Sequence, residues 1–455
     1  MRTTLALREE TWRDLLATLD EPRETAGFVM AGVARGADDL TLLARDLRLI
    51  DDAHYLKRTA RRLSIGSAAI VAELSRAASD KAIPIFMHTH PSGTATPSSH
   101  DRRVDRDLRL PALIRSGQPY YMSLIIAGTR RRPQVSGRIY NDAGLVGTLE
   151  RIRVVGERLR LLTTANTIRA FDSAVFDRQI RAFGEQAQKL LSQLRIGVVG
   201  AGGTGSTVFE QLVRLGVGEI VVIDDDHLNK SNLTRVHEAG IADVDELKVA
   251  VAEKAAARIG LGTTVNAVEG RIGDKAIARR LKHCDLVFGC TDDHTGRQVL
   301  SKLSNWYLIP VIDMGFLVNT SQTKIAGLFG RVTTITPGAA CLVCRDYSTP
   351  DGLQAESLPP EERRARAAEG YVPGLRDRDP SVGTFTTLVA SFAVAEMLDR
   401  LVDYSSTTAR PTELILRLHD RKLSTNSKQP KPGHWCGKTA NWGRGDSANF
   451  LGTTP

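Results

Sequence analysis

Apolar and polar positions alternate with two different periods along this chain, and the change of period divides it. In the first part, "LREETWRDLLATL" (7–19) reads as an opening helix and "SIGSAAIVAELSRAASD" (64–80) as an amphipathic one. The runs "IPIFMHTHP" (83–91), "YYMSLIIAG" (120–128) and "QVSGRIYN" (134–141) read as strands, and "RIRVVGERLRLL" (151–162) closes the segment. From about residue 170 long helical patterns alternate with short apolar strands: "RIGVVG", "EIVVIDDD", "CDLVFGCTD" and "PVIDMG". That alternation predicts a parallel sheet with crossover helices. Segment 346–380 is charged, Pro-containing and poor in apolar residues, which predicts a mobile loop. The tail beyond 425 is rich in Gly, Ser, Thr, Asn and Lys, and no internal repeat is evident. The expectation is an α/β protein with a domain at 1–163, a second at 168–425 and a C-terminal tail at 426–455.

Composition narrows the class. At 455 residues the chain is too long for one ordinary core, and 42% hydrophobic with 25% charged residues describes a soluble globular protein. The net charge of +9 raises nucleic acid as a partner. The basic residues are dispersed, however, with short clusters such as "TRRRP" (129–133) and "RRAR" (363–366), and no aromatic residues interleave with them. Nucleic acid binding is not expected; an acidic protein partner or ATP suits the charge. Five Cys, an odd number, argue against a disulfide framework, and "CLVC" (341–344) suggests metal in a reducing compartment. Arg8, Glu9, Glu10, Arg13 and Asp20 interrupt the first thirty residues, so no secretory signal is expected. The most apolar window, "TTLVASFAVAEML" (386–398), is too short to span a bilayer. A cytoplasmic protein without membrane contact is expected.

The stretch "MHTHPSGTATPSSHD" (87–101) carries the first candidate chemistry. His88 and His90 sit two apart at the end of an apolar strand, so both imidazoles leave one face. Ser98 and Asp101 follow at the start of a helix, side by side at i and i+3. Two His and one Asp offer three ligands and leave a fourth zinc position open for water, as catalytic zinc requires. A His-rich polar turn is the plain alternative. The pattern H-x-H-x7-S-x2-D, complete at His88, His90, Ser98 and Asp101, resembles the JAMM/MPN metalloproteases. That resemblance implies a JAB/MPN α+β domain with zinc-dependent peptidase or isopeptidase activity. It also implies Glu24, in "PRETAGFVMAG" (22–32), as general acid/base and Ser98 as a donor to the oxyanion. His100 has no role in the pattern and is read as solvent-facing.

A second candidate begins at "RIGVVGAGGTGS" (195–206), a strand, a tight turn with Gly200, Gly202, Gly203 and Gly205, and a helix start. Glycines there let backbone N–H groups approach phosphate, and Asp224 at the next strand end would meet a ribose hydroxyl. An NAD-binding domain shares this fingerprint. The following residues, "DDDHLNKSNLTRV" (224–236), resemble the ThiF/MoeB and ubiquitin-activating enzyme superfamily, with Asn232 and Arg235 in place and Val236 where the family has Gln. The resemblance implies a Rossmann-like adenylating domain with a mainly parallel sheet, in which Arg235 and Lys248 neutralise ATP phosphates and Asp292 carries Mg2+. Arg297 stands behind Asp292, and Arg178, in "FDRQIRAFGEQAQKLL" (176–191), would reach ATP, often in the partner subunit. Taken singly, these are a capping Arg, a solvated Lys and a strand-end Asp; a dehydrogenase needs none of them.

Cys341 and Cys344 form half of a tetrahedral zinc site. The family usually adds a second Cys-x-x-Cys, but "PGHWCGK" (432–438) has Gly433 at the first position and Cys436 at the second, so His434 is the candidate fourth ligand. Cys284 and Cys290 read as core residues. The crossover segment 345–380, where activating enzymes of the family carry a thioester-forming Cys, has none. The combined resemblance implies a bifunctional enzyme of a prokaryotic ubiquitin-like system, using ATP, Mg2+, a catalytic and a structural Zn2+. Its partners would be a modifier ending in Gly-Gly, a conjugating enzyme or another thiol or amine acceptor, and a second copy in a homodimer. Activation of a sulfur carrier protein, or a scaffold retaining both folds without turnover, are the alternatives.

Overall fold

A computed structural model describes residues 1–163, 170–321, 324–359, 361–362, 380–406 and 410–447. Two compact units divide them. The first draws on 1–163 with 306–308 and 440–447, the second on 170–305 and 309–439. The junction at 164–169, the "RRAR" cluster and most of the crossover segment (360 and 363–379) lie outside the described residues.

The strands of the first unit are β1 (Arg2–Arg8), β2 (Ala26–Arg35), β3 (Asp39–Leu49), β4 (Tyr55–Arg58), β5 (Leu63–Ile65), β6 (Ile83–His90), β7 (Tyr121–Thr129), β8 (Arg132–Tyr140), β9 (Leu145–Thr148), β10 (Arg151–Val155) and β11 (Leu159–Thr163). Nine of them form one sheet in the order β11-β10-β1-β3-β2-β6-β7-β8-β9, and β4 and β5 pair separately. The helices are α1 (Glu9–Ala17), α2 (Ser67–Ser79) and α3 (Ser99–Ser116). The opening element corrects one expectation: Arg8 ends a strand, and the helix starts only at Glu9. Leu5 and Leu7, two apart, enter the same core cluster as Trp12 and Leu15 of α1.

Period two also sorts β6. Ile83, Ile85 and Met87 enter the cluster shared with α1, whereas Phe86 enters the opposite one, shared with α2 and α3. His88 and His90 continue the Phe86 parity and therefore face α3. That helix starts with a capping box, the Ser98 side chain taking the Asp101 N–H and the Asp101 carboxylate taking the Ser98 N–H. It stops at Gly117, whose φ of 64° is the left-handed conformation that favours glycine. Residues near the C-terminus are pinned to β2: Gly445 bridges Val33, and Asp446 takes the Arg35 N–H at 2.8 Å. A Cβ on Gly32 would stand 2.0 Å from the Gly443 carbonyl oxygen, so this close approach requires glycine.

The second unit contains α4 (Asp177–Phe183), α5 (Glu185–Leu191), β12 (Arg195–Val199), α6 (Gly203–Arg214), β13 (Glu219–Asp224), α7 (Lys248–Ile259), β14 (Thr264–Glu269), α8 (Lys275–Ala278), β15 (Leu286–Gly289), α9 (His294–Tyr307), β16 (Val311–Ser321), β17 (Lys324–Ile335), α10 (Pro350–Ser357), α11 (Gly383–Val402), β18 (Glu413–Arg417) and β19 (Lys422–Asn426). Its sheet runs β14-β13-β12-β15-β16-β17-β18-β19. The first five strands are parallel and the rest antiparallel, so the expected α/β architecture is present. The expected loop at 346–380 is corrected at its start, because α10 is helical behind a Thr349 cap and Pro350. The Glu356 carboxylate of α10 accepts the N–H groups of His294 and Thr295 at 2.6 and 2.9 Å, an anion on a helix N-terminus. The apolar window 386–398 lies in α11, with Val389, Ala390, Ala393 and Met397 buried. Among the described residues no helix is long and apolar enough to cross a membrane.

Candidate metal centres and nucleotide loop

Asp101 closes the first site against the two imidazoles. Its oxygens lie 3.3 Å from His88 Nε2 and 3.5 Å from His90 Nε2, and the two Nε2 atoms are 3.2 Å apart. All three donors fall within 4.8 Å of one another, a spacing that suits one divalent ion. The Thr94 carbonyl, 2.8 Å from His90 Nδ1, takes the proton there and leaves Nε2 directed at the cluster. Burial opposes ionisation of Asp101, but hydrogen bonds from His88, His90 and Ser98 outweigh it and hold the carboxyl well below its usual range. The hydrogen bond to Asp101 raises His90 above the ordinary imidazole value against its burial.

Glu24 lies two residues before β2. The register pairs Ala26 with His88, and Thr25 takes the Thr89 N–H at 2.9 Å; continued by one step, it sets Glu24 opposite His90. The loop after β4 holds it there, through Glu24 N–H to the Thr59 carbonyl at 2.8 Å and Arg58 to the Glu24 carbonyl at 3.0 Å. Glu24 is 8% exposed, and burial pushes its carboxyl up, with the charges of His88 and His90 opposing. Ser98 Oγ accepts the Asp101 N–H at 3.2 Å, so its structural duty is capping. His100 is exposed.

In the second unit, Gly200 has a φ of 93°, and a Cβ there would meet the Cys290 carbonyl oxygen at 2.7 Å; one on Gly205 would stand 1.8 Å from the Gly200 carbonyl oxygen. These two glycines are required by the turn itself. A Cβ on Gly202 would meet nothing within 4 Å, so that position faces open space. Asp224, at the end of β13, accepts the Ala201 N–H at 2.6 Å and the Asp226 N–H at 2.8 Å. Burial pushes its carboxyl up, and Lys248 and these amides oppose. Lys248 opens α7 beneath it, with Nζ 2.6 Å from Asp226 and 3.9 Å from Asp224.

Arg235 packs against the start of α6, where a Cβ on Gly203 would approach its Cδ to 3.3 Å; its guanidinium donates to the Ser231 carbonyl at 3.0 Å. A Cβ on Gly383 would meet the Thr234 carbonyl oxygen at 2.6 Å, so the start of α11 also packs against this segment. Asn232 is buried, its side chain taking the Asn229 N–H at 3.1 Å. Asp292 is exposed beyond β15, two residues from Cys290. Arg297 donates to the Tyr347 carbonyl at 3.2 Å. Arg178 is exposed on α4, and no hydrogen bond or ion pair among the described residues ties it to the loop. Asp226 and the start of α11 were not anticipated; only Asp226 carried a sequence signal, as the third Asp of the 224–226 run.

The sulfur cluster joins residues far apart in the chain. Cys341 Sγ lies 3.7 Å from His434 Nδ1, His434 Nδ1 lies 3.1 Å from Cys436 Sγ, and Cys344 and Cys436 Sγ are 3.6 Å apart. The four donors fall within 4.8 Å, the set for a closed tetrahedral site. The hydrogen bond from Cys341 brings the Cys436 thiol down to about 5 against its burial, while Cys341 rises. Cys284 is buried, and burial pushes the half-buried Cys290 thiol well above its usual value, which makes it a poor nucleophile.

Two family models match the chain: the ThiF family over residues 176–436 and prokaryotic homologs of the JAB domain over residues 7–138. A SAMP-activating enzyme E1 of Haloferax volcanii is 31% identical over 192 residues, 40% of this chain and 66% of that protein. A molybdopterin-synthase adenylyltransferase of Salmonella typhimurium is 34% identical over 139 residues, 30% of this chain and 56% of that protein. The chain thus spans between about half and two thirds of the length of these relatives. The solved structure of the microcin C7 biosynthetic enzyme MccB with N-formylated MccA aligns at a TM-score of 0.48 and 13% identity, over 90% of this chain and 100% of that one.

Proposed function

We propose, for a chain that belongs to the ThiF family and carries a prokaryotic JAB domain ahead of it, a two-site enzyme of a ubiquitin-like protein system. One site hydrolyses a peptide or isopeptide bond at a modifier's C-terminal Gly-Gly. The other activates that carboxylate as an acyl adenylate. The observation that carries the reading is the gathering of Arg235, Lys248 and the Gly200–Gly205 turn at the start of α6. Cations and backbone N–H groups there face the phosphates of ATP. The modifier carboxylate attacks the α-phosphorus, the bond to the bridging oxygen breaks and pyrophosphate leaves. Lys248 and Arg235 neutralise the departing charge, Asp224 meets the ribose, and Asp292 is exposed where it would hold Mg2+. A homodimer would supply Arg178 from the partner copy.

In the JAB domain, His88, His90 and Asp101 fit a zinc ion. Zinc, when bound, supplies Lewis acidity and an open coordination position. Glu24, its carboxyl pushed up by burial, takes a proton from the attacking water and returns it to the leaving amine. Ser98 donates to the oxyanion. Cys341, Cys344, His434 and Cys436 would hold a structural zinc. A reducing, cytoplasmic setting suits these free thiols.

The relative named a molybdopterin-synthase adenylyltransferase favours a second reading, sulfur-carrier activation, as does a crossover segment without Cys. There the adenylate would pass to a sulfur donor and emerge as a thiocarboxylate. ATP–pyrophosphate exchange with Gly-Gly-ending proteins of the same organism tests adenylation. Exchange that Asp292→Ala abolishes supports it; no exchange with any free Gly-Gly end refutes it. Covalent adducts of the modifier with other proteins, or a thiocarboxylate, then decide between the two readings.

A further inference from the structure

The first turn of α3 must hold Asp101 within reach of two imidazoles, yet it has little apolar support. Ser99, His100, Arg102 and Arg103 are exposed; the apolar packing of the helix begins with the half-buried Val104 and continues through Leu108, Ala112 and Leu113. Asp105 is the first fully buried residue after Asp101, 2% exposed, and lies one turn further along the same face. Its carboxylate forms an ion pair with Arg138 and accepts the Tyr140 hydroxyl at 2.9 Å. Burial and the Asp105 charge push the Tyr140 phenol up to about 12, so it remains a donor.

Arg138 and Tyr140 sit two apart on β8, paired with Ser123 and Tyr121 of β7. Ser123 in turn pairs with Phe86 of β6, the residue whose parity His88 shares. The polar clamp therefore stands on the sheet face that presents the imidazoles. A charge-assisted pair with a second directional hydrogen bond fixes a helix in height and rotation more tightly than apolar contact does.

We propose that Asp105, which lies outside the H-x-H-x7-S-x2-D pattern, is a positioning residue of the metal centre. Held by Arg138 and Tyr140, it sets α3 at the height over β6 that brings Asp101 to both imidazoles. This rests on the reading of His88, His90 and Asp101 as metal ligands.

The test uses the metal-free full-length chain titrated with Co2+. Absorption separates the two clusters, because only the Cys cluster gives thiolate charge-transfer bands. Asp105→Asn is expected to weaken Co2+ binding at the His/Asp cluster by about 10–100-fold, leaving the Cys cluster unchanged. Asp105→Leu combined with Arg138→Met removes the unpaired cation and restores the thermal midpoint. The weak Co2+ binding is expected to persist in it. Affinity that returns with the midpoint, or that Asp105→Asn leaves intact, overturns the proposal and makes the pair merely structural. Asp101→Ala separates this from the underlying reading: a wild type that takes up no more Co2+ at this cluster than Asp101→Ala overturns both.

Discussion

The two donor clusters differ in what they leave unfilled. His88, His90 and Asp101 offer nitrogen and oxygen donors from one strand end and one helix turn, with a buried carboxyl, Glu24, alongside. Those elements are held independently of any ion, by a central position in a nine-stranded sheet and by a capping box. Cys341, Cys344, His434 and Cys436 offer four donors, three of them sulfur, from segments 92 residues apart. Protein contacts joining the two segments include the Lys431 N–H to Cys344 Sγ at 3.3 Å and the exposed Lys431–Asp346 pair. On the proposed function, the open set on a rigid frame would serve chemistry and the closed set between loops cohesion.

The largest effect expected to break or sharpen this contrast is on stability. Structural zinc is worth about 10–16 kcal/mol in isolated fingers, so Cys344→Ser should lower the second unit's calorimetric midpoint more than any other single change named here. His88→Ala should leave both midpoints near wild type; equal destabilisation by the two would erase the distinction. Next, Glu24→Gln should reduce cleavage of a modifier fusion by about 10²–10⁴-fold while zinc stoichiometry, read by mass spectrometry, is unchanged. Burial raises the Glu24 carboxyl in the folded chain, so in the metal-free protein its contribution to stability is present below the ordinary carboxyl value and is lost as pH rises from there through the raised one. Glu24→Gln should therefore match or exceed wild type in stability at neutral pH.

A smaller effect is the pH dependence of ion binding at the His/Asp cluster. His90 must be neutral to ligate, and its raised value means that protons compete with the ion at a higher pH than for a free imidazole. Zinc affinity at the His/Asp cluster, measured calorimetrically, should fall as pH drops through that range. Protons compete at the Cys cluster too: Cys436, down at about 5, is already a thiolate, but Cys341 and Cys344 are raised and must lose their protons to ligate. Smallest in stability is Ser98→Ala, which removes an N-cap worth about 1 kcal/mol; of the two midpoints it should shift only the first unit's, while cleavage falls through the lost oxyanion donor.

Much of both sites was legible because the motifs are local. A period of two in β6 already implied that His88 and His90 leave one face, and Ser98 with Asp101 three residues on announces a helix start. The glycines at 200–205 announce a turn that only small residues fit. Contacts between distant segments were not legible. Strand β1 runs straight into α1, and the helical reading took in its last two residues, Leu7 and Arg8. The start of the crossover segment read as loop from its charge and its poverty in apolar residues, although Thr349 and Pro350 carry a local helix-start signal. Residues 440–447 read as tail, although they pack within the first unit, where Gly445 bridges Val33 of β2.

By itself, then, the sequence determined which side chains share a strand face, a helix turn or a glycine loop, since bond geometry and backbone period settle those over a few residues. Tertiary structure alone decided that Glu24 stands opposite His90, that His434 joins the three Cys, and that Asp105 meets Arg138 and Tyr140. Those meetings depend on sheet register and the packing of segments far apart in the chain, which no local period encodes.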